Sequence, residues 1–178
     1  RGCLSGPVVA AAYMANRLKQ LPAVRDSKKV TAGQRQKLYY ELLPAAIDFA
    51  VGLASPREID ELNILEATKL AMQRAVAGLK IKPQLLLIDG NATIFSEIPQ
   101  QTVVKGDAKY GNIASASIIA KVTRDTVMER FHVQYPAYSF DKNKGYGTKD
   151  HLEALDEHGP CPIHRFSFNG VGQLRLLI

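Results

Sequence analysis

The chain predicts a mixed α/β fold, with a sheet flanked by helices, and two observations carry that expectation. The first is Leu85-Leu86-Leu87-Ile88, four large apolar residues running straight into Asp89. A half-exposed hairpin strand should alternate, whereas an unbroken run suits a strand covered on both faces by helices. The competing reading takes Asp89-Gly90 as a plain hairpin turn, because both residues tolerate positive φ. The second is that strand-like and helix-like segments take turns along the whole chain.

In order, "RGCLSGPVVAAAYM" has two glycines and a proline leading into an apolar strand. Thr31 and Gln34 have capping-box spacing ahead of a helix that should stop before Pro44. "DFAVGLA" reads as a second strand. Ser55-Pro56-Arg57-Glu58 is a stronger helix start, with an N-cap serine, proline at the first helical position and a glutamate reaching back. That helix is expected to run to about Leu79, with Ile59, Leu62, Leu65, Met72, Val76 and Leu79 on one buried face. "QLLLID", "QTVVKGD" and a long helix over "NIASASIIAKVTRDTVMERF" follow, and after Tyr135 the composition turns toward Gly, Pro, Lys and aromatics. No repeat, low-complexity tract or linker interrupts the 178 residues, a length that suits one domain.

Hydrophobic residues at 46% and charged ones at 22% exclude a disordered chain. No apolar run approaches the roughly 20 residues of a membrane helix, and no basic-then-apolar leader is present. Cys3 and Cys161 form neither a CxxC pair nor a disulfide framework, so a soluble, cytoplasmic protein with reduced thiols is expected. A net charge of +6 makes a polyanionic partner plausible, with position left to decide.

Chemistry is expected where two strand-like segments end in aspartate, "LLLID" at Asp89 and "VVKGD" at Asp107. If the strands are neighbours with level ends, both carboxylates reach a common hard cation such as Mg²⁺ or Mn²⁺. Otherwise they are two ordinary turn aspartates. "HGPCPIH" spaces His158, Cys161 and His164 at three-residue intervals, but flanking prolines favour a rigid loop over a zinc site. No GxSxG, HExxH, Walker A or GxGxxG pattern supports a serine nucleophile or a dinucleotide cofactor. Basic residues gather near the two aspartates: Lys28 and Lys29, Lys105 and Lys109, Lys121 and Arg124. Lys142, Lys144 and Lys149 are interleaved with Tyr138, Phe140 and Tyr146, a mixture that suits a phosphate backbone plus stacking. Glycines on both sides of Tyr146 leave its ring either presented for stacking or folded down as a lid on the core. Ser115 and Ser117 allow either close helix packing or a phosphate contact.

Seven pieces in collinear order, "RGCLSGPVVAAA", "DSKK", "ASPREIDELNILEAT", "LLLIDGN", "VVKGDAKYGNIASASIIAKVTRD", "YPAYSFDKNKGYGTKDHLEAL" and "HGPCPIHRFSF", resemble bacterial ribonuclease HII over nearly the whole chain. The resemblance implies an RNase H-like core over residues 1–134 and a small helical and loop extension over 135–178, in one domain. It implies a metal-dependent endoribonuclease, acting in DNA replication and repair on RNA–DNA hybrids. Such an enzyme also cuts 5′ of ribonucleotides embedded in duplex DNA. It implies Mn²⁺ or Mg²⁺ as cofactor, Asp89 and Asp107 as metal-binding catalytic carboxylates, and a monomer. Arg1 and Gly2 match the end of a Gly-Arg-Gly motif that meets the 2′-hydroxyl at the junction, and Tyr146 matches the tyrosine that stacks there. Lys28 or Lys29, with Lys121 and Lys144, would contact nucleic acid.

Two departures accompany the match. The family's Asp-Glu pair would lie four and three residues before Arg1, on what is the family's central strand. The chain is therefore expected to be N-terminally truncated, without that strand and impaired as a nuclease. A hybrid-binding fragment without catalysis is the alternative function, and a small-molecule phosphohydrolase a further rival. Phe166 stands in "HRFSF" where a second basic residue is expected, which weakens phosphate contact by the tail.

Overall fold

The structure, a computed structural model, describes residues 2–16 and 30–171. Its elements alternate as expected: strand β1 (Val8–Ala15), helix α1 (Ala32–Leu42), strand β2 (Ala46–Ala54), helices α2 (Pro56–Leu62) and α3 (Ile64–Ala77), then strands β3 (Leu86–Asp89) and β4 (Gln100–Val103). Helix α4 (Gly111–Gln134) follows, and the tail folds into the short helix α5 (Phe140–Asn143) and helix α6 (Lys149–His158). The fold is mixed α/β. Among the described residues β1 pairs with β2, and β3 with β4, as two separate two-stranded ladders. β3 and β4 run parallel, with Leu86 opposite Gln100 and Asp89 opposite Val103. A parallel pair rules out the hairpin-turn reading of Asp89-Gly90.

Local chemistry sets the helix starts. The Thr31 hydroxyl accepts from the Gln34 N–H at 3.3 Å while the Gln34 side chain accepts from the Thr31 N–H at 3.1 Å. Ser55 and Glu58 make the same reciprocal pair at 3.2 and 2.8 Å. The single helix expected from Pro56 to about Leu79 is instead two. Asn63 adopts φ 72° between them, and its Oδ1 accepts from the Leu65 and Glu66 N–H groups at 2.9 and 3.1 Å, starting α3 afresh. The buried face differs accordingly: Leu62 and Leu65 are 42% and 40% exposed, while Ala67, Ala71 and Ala75 are buried. Small residues serve close approach here. A Cβ on Gly52 of β2 would run into the Ala71 carbonyl and the Ala75 nitrogen of α3.

The chain divides into two compact units, one of Arg1–Val8, Ala54–Thr68 and Thr123–Ile178, the other of Val9–Leu53 and Lys69–Val122. In the second, Tyr13, Leu42, Ile118, Ile119 and Val122 form one buried cluster. The Tyr13 hydroxyl donates to the Leu42 carbonyl at 3.0 Å, and burial raises its pKa. Leu86, Ile88 and Ile94 form another, with Met72, Val76 and Ile98 packed on it. Each such aliphatic side chain stabilises the fold by about 1.5–3 kcal/mol, so β3 is firmly seated through its Leu86 and Ile88 face. Its other face is more open than expected, with Leu87 half-buried and Leu85 exposed. In the first unit, Met128, Tyr138, Phe140, Leu155, Ile163 and Val171 make the core. No helix among the described residues is long and apolar enough to cross a membrane.

Candidate active site

The seated β3 carries Asp89 at its last position, where the side chain is exposed. Gly90, at φ 107°, extends the ladder by donating its N–H to the Val103 carbonyl at 3.0 Å. β4 then passes through Lys105, a non-glycine residue at φ 56°, into a 3-10 turn over Gly106–Ala108. The backbone N–H of Gly106 donates to Asp89 Oδ1 at 2.8 Å. That charge-assisted bond ties the first carboxylate to the turn bearing the second, half-buried Asp107. Glycine is needed at the joint, because a Cβ on Gly106 would stand 2.6 Å from Ile113 Cδ1 and 3.2 Å from Asp89 Oδ1.

β4 stops at Val103, short of the strand end expected at Asp107, so the two carboxylates sit one at the end of β3 and one on the turn after β4. Both offer hard oxygen donors, the type that Mg²⁺ and Mn²⁺ prefer. The bond from Gly106 orients one of them. Among the described residues no cluster of three or more His, Cys, Asp or Glu forms a metal-holding group. The pair therefore fits such an ion in donor type and would provide only part of its shell. Lys105 and Lys109 beside Asp107 are exposed, while Lys121 on α4 is half-buried and has an interaction partner within the chain. Ser115 is buried, and its hydroxyl donates to the Gly111 carbonyl at 2.8 Å, which is helix packing rather than a phosphate contact.

The Tyr146 loop lies in the other unit and is pinned from several sides. Asn143 Oδ1 accepts from the Gly145 N–H at 2.7 Å, and the Tyr146 N–H donates to the Asn143 carbonyl at 2.9 Å. Gly145, at φ 82°, lies so close to Ser5 that a Cβ would sit 2.6 Å from its Oγ. Arg124 donates to the carbonyls of Lys144, Ser5 and Pro7 at 2.8, 3.0 and 3.1 Å. The Tyr146 ring is 46% exposed, and the neighbouring Cys3 thiol, hydrogen-bonded to its hydroxyl, raises its pKa together with burial.

The other expected nucleic-acid contacts divide. Lys144 Nζ donates to Glu129 and to the Asp141 carbonyl, both at 2.6 Å, so its ammonium braces the loop. Gly2 is exposed, with open space around its Cα. Arg1, Lys28 and Lys29 lie outside the described residues. In "HRFSF", Arg165 is 1% exposed and donates to the carbonyls of Gly6 and Pro7 at 3.0 and 3.4 Å, with burial pulling its pKa down to about 10. The Phe166 and Ser167 N–H groups donate to the Asp60 carboxylate at 2.9 and 2.8 Å. This segment clamps backbone. His158 is exposed, whereas Cys161 and His164 are buried in the core. His151, which no sequence pattern singled out, is fully buried beside His164.

The family profile described as ribonuclease HII matches residues 1–171. The chain belongs to the ribonuclease HII family. Ribonuclease HII of Syntrophobacter fumaroxidans is 53% identical over 171 residues, covering 96% of this chain and 73% of that protein. Ribonuclease HII of Desulfitobacterium hafniense strain DCB-2 is 53% identical over 173 residues, 97% of this chain and 66% of its own. In three dimensions the ribonuclease H2 of Pyrococcus horikoshii OT3 superposes with a TM-score of 0.80 at 30% identity, covering 99% of this chain and 93% of that one. Membership makes the chain one of a family of endoribonucleases, and its mixed α/β fold is that of an archaeal relative.

Proposed function

We propose that the protein hydrolyses the RNA strand of RNA–DNA hybrids and cuts 5′ of single ribonucleotides in duplex DNA, leaving 5′-phosphate and 3′-hydroxyl ends. The observation that carries this is the Gly106 N–H bonded to Asp89 Oδ1, which couples the turn of Asp107 to the end of β3. Asp89 and Asp107 would hold Mn²⁺ or Mg²⁺. Two such ions would supply an activated water and stabilise the leaving 3′ oxygen. The chain's own part is to orient carboxylates on a rigid ladder and to place the phosphodiester between them.

Residues 1–134 form the catalytic core in this reading, and residues 135–178 the extension that meets substrate. Recognition of RNA rests on the 2′-hydroxyl, donor and acceptor at once, at the Arg1-Gly2 backbone. Tyr146 stacks at the junction, and Lys28, Lys29 and Lys121 offset phosphate charge. Lys144 acts through the loop it braces. The protein works as a cytoplasmic monomer on nucleic acid exposed in replication and repair.

The test is cleavage of a labelled duplex containing one ribonucleotide, with Mn²⁺ or Mg²⁺, at two salt concentrations. Cutting 5′ of the ribonucleotide, weakening steeply with salt, is the expected result when the family's Asp-Glu pair is supplied ahead of Arg1, with little or no cutting by the chain without it. Tight hybrid binding with no cutting under either ion would favour a binding module, and salt-indifferent hydrolysis of small phosphate esters would favour a phosphohydrolase.

A further inference from the structure

Beneath the Tyr146 loop, two histidines with no role in the proposed chemistry are fully buried: His151 in α6 and His164 in the loop that follows it. Their Nε2 atoms face each other at 3.0 Å. On the far side, His164 Nδ1 accepts from the backbone N–H of Cys161 at 3.0 Å. On the near side, His151 Nδ1 lies 2.8 Å from the Tyr146 carbonyl.

The Tyr146 carbonyl sets the arrangement of protons. His164 Nδ1 also has the Cys161 carbonyl at 3.2 Å and the Cys161 thiol at 3.1 Å, so that end alone does not place its proton. The Tyr146 carbonyl can only accept, which puts the His151 proton on Nδ1 and leaves His151 Nε2 to accept from His164 Nε2–H. His164 Nδ1 then carries no proton and accepts from the Cys161 N–H. A second proton on His151 would oppose two N–H groups at 3.0 Å. Burial favours the neutral forms as well, lowering the pKa of His151 and taking that of His164 to about 4.

We propose that the His151–His164 pair positions Tyr146, fixing its backbone through a directional hydrogen-bond relay anchored at Cys161, and thereby sets how strongly the protein prefers a ribonucleotide junction. The proposal rests on the reading of Tyr146 as the stacking residue. Between two glycines the backbone of Tyr146 depends on its hydrogen bonds for its conformation, and time spent in any conformer other than the stacking one lowers affinity. The Tyr146 carbonyl already accepts from the Thr148 N–H at 2.8 Å. That bond closes the turn from within the loop. The second bond, from a ring packed against Phe140 at a centroid distance of 5.4 Å and Tyr138 at 6.3 Å, fixes its orientation. Both histidines act through Tyr146 and are positioning residues.

The test compares dissociation constants for a duplex containing one ribonucleotide and for the same duplex in all-DNA form, with Ca²⁺ present so that binding is read without turnover. Tyr146→Ala is expected to cut the preference about tenfold, the scale of one stacked base. His151→Leu should cut it about fivefold. His151→Asn, whose amide nitrogen stands near the place of Nδ1, should restore it to within about twofold of the original. A cooperatively folded His151→Leu that keeps the full preference, while Tyr146→Ala loses it, overturns the relay and leaves the Tyr146 reading intact. An unchanged preference in Tyr146→Ala removes both. Should His151→Leu fail to fold, ¹⁵N shifts of the unaltered protein at pH 7 decide. They are expected to show Nδ1–H on His151 and Nε2–H on His164, and any other tautomer pair, or a charged ring, refutes the relay.

Discussion

Gly106→Ala probes the joint between the two carboxylates. The added methyl would stand 2.6 Å from Ile113 Cδ1 and 3.2 Å from both Ile113 Cγ2 and Asp89 Oδ1. Carbon atoms in contact normally sit about 3.5–4.0 Å apart, so Ile113 must retreat by about 1 Å. It has little room, being only 6% exposed, and the turn must shift instead. Overpacking of this kind costs roughly 1–3 kcal/mol. At about 2–4 °C per kcal/mol for a chain of this size, the melting temperature should fall by about 2–12 °C. The same shift strains the 2.8 Å bond that orients Asp89, and a displacement of about 1 Å at a reacting group can cost about 100-fold in rate. Thermal unfolding and single-turnover cleavage of a one-ribonucleotide duplex measure the two effects. A variant melting within about 1 °C of the parent and cutting within about twofold of its rate would refute the steric reasoning.

Arg124→Ala removes a guanidinium that donates to three carbonyls, so a loss of about 2–4 kcal/mol is expected in denaturant unfolding. Arg124→Lys should recover little of it, since one ammonium cannot span the fork. Tyr13→Phe deletes the hydroxyl that donates to Leu42 and should cost about 1 kcal/mol by the same measurement. His164, neutral when folded with a pKa of about 4, takes up a proton near pH 6.5 when unfolded. Its contribution is therefore intact above pH 6.5 and lost as pH falls toward 4, by roughly 3 kcal/mol in all. Urea midpoints between pH 7 and 4 should show that slope, and His164→Gln should flatten it.

What was legible in the sequence was local. Thr31 with Gln34, and Ser55 with Glu58, announce helix starts because the bonds they make span three residues. Asp89 and Asp107 stood out because each closes a strand-like run; β3 does end at Asp89, but β4 ends at Val103, and it is the Gly106 N–H that ties the turn of Asp107 to Asp89. Asn63 was missed, since an asparagine in the left-handed region inside an otherwise helical pattern leaves little trace in the periodicity. Lys144 reads as a surface cation until the fold brings Glu129, fifteen residues earlier, against it. The pairing of His151 with His164 is likewise tertiary: a lone histidine on a helix has no pattern that names its partner.

The most direct measurement of the central claim is Mn²⁺-dependent cleavage of a duplex with one ribonucleotide, run beside Asp89→Asn and Asp107→Asn. With the family's Asp-Glu pair supplied ahead of Arg1, the protein should cut 5′ of the ribonucleotide, and each variant of it should lose cleavage while still binding the duplex. Cleavage that survives in either variant would contradict the assignment of Asp89 and Asp107 as the metal-holding pair.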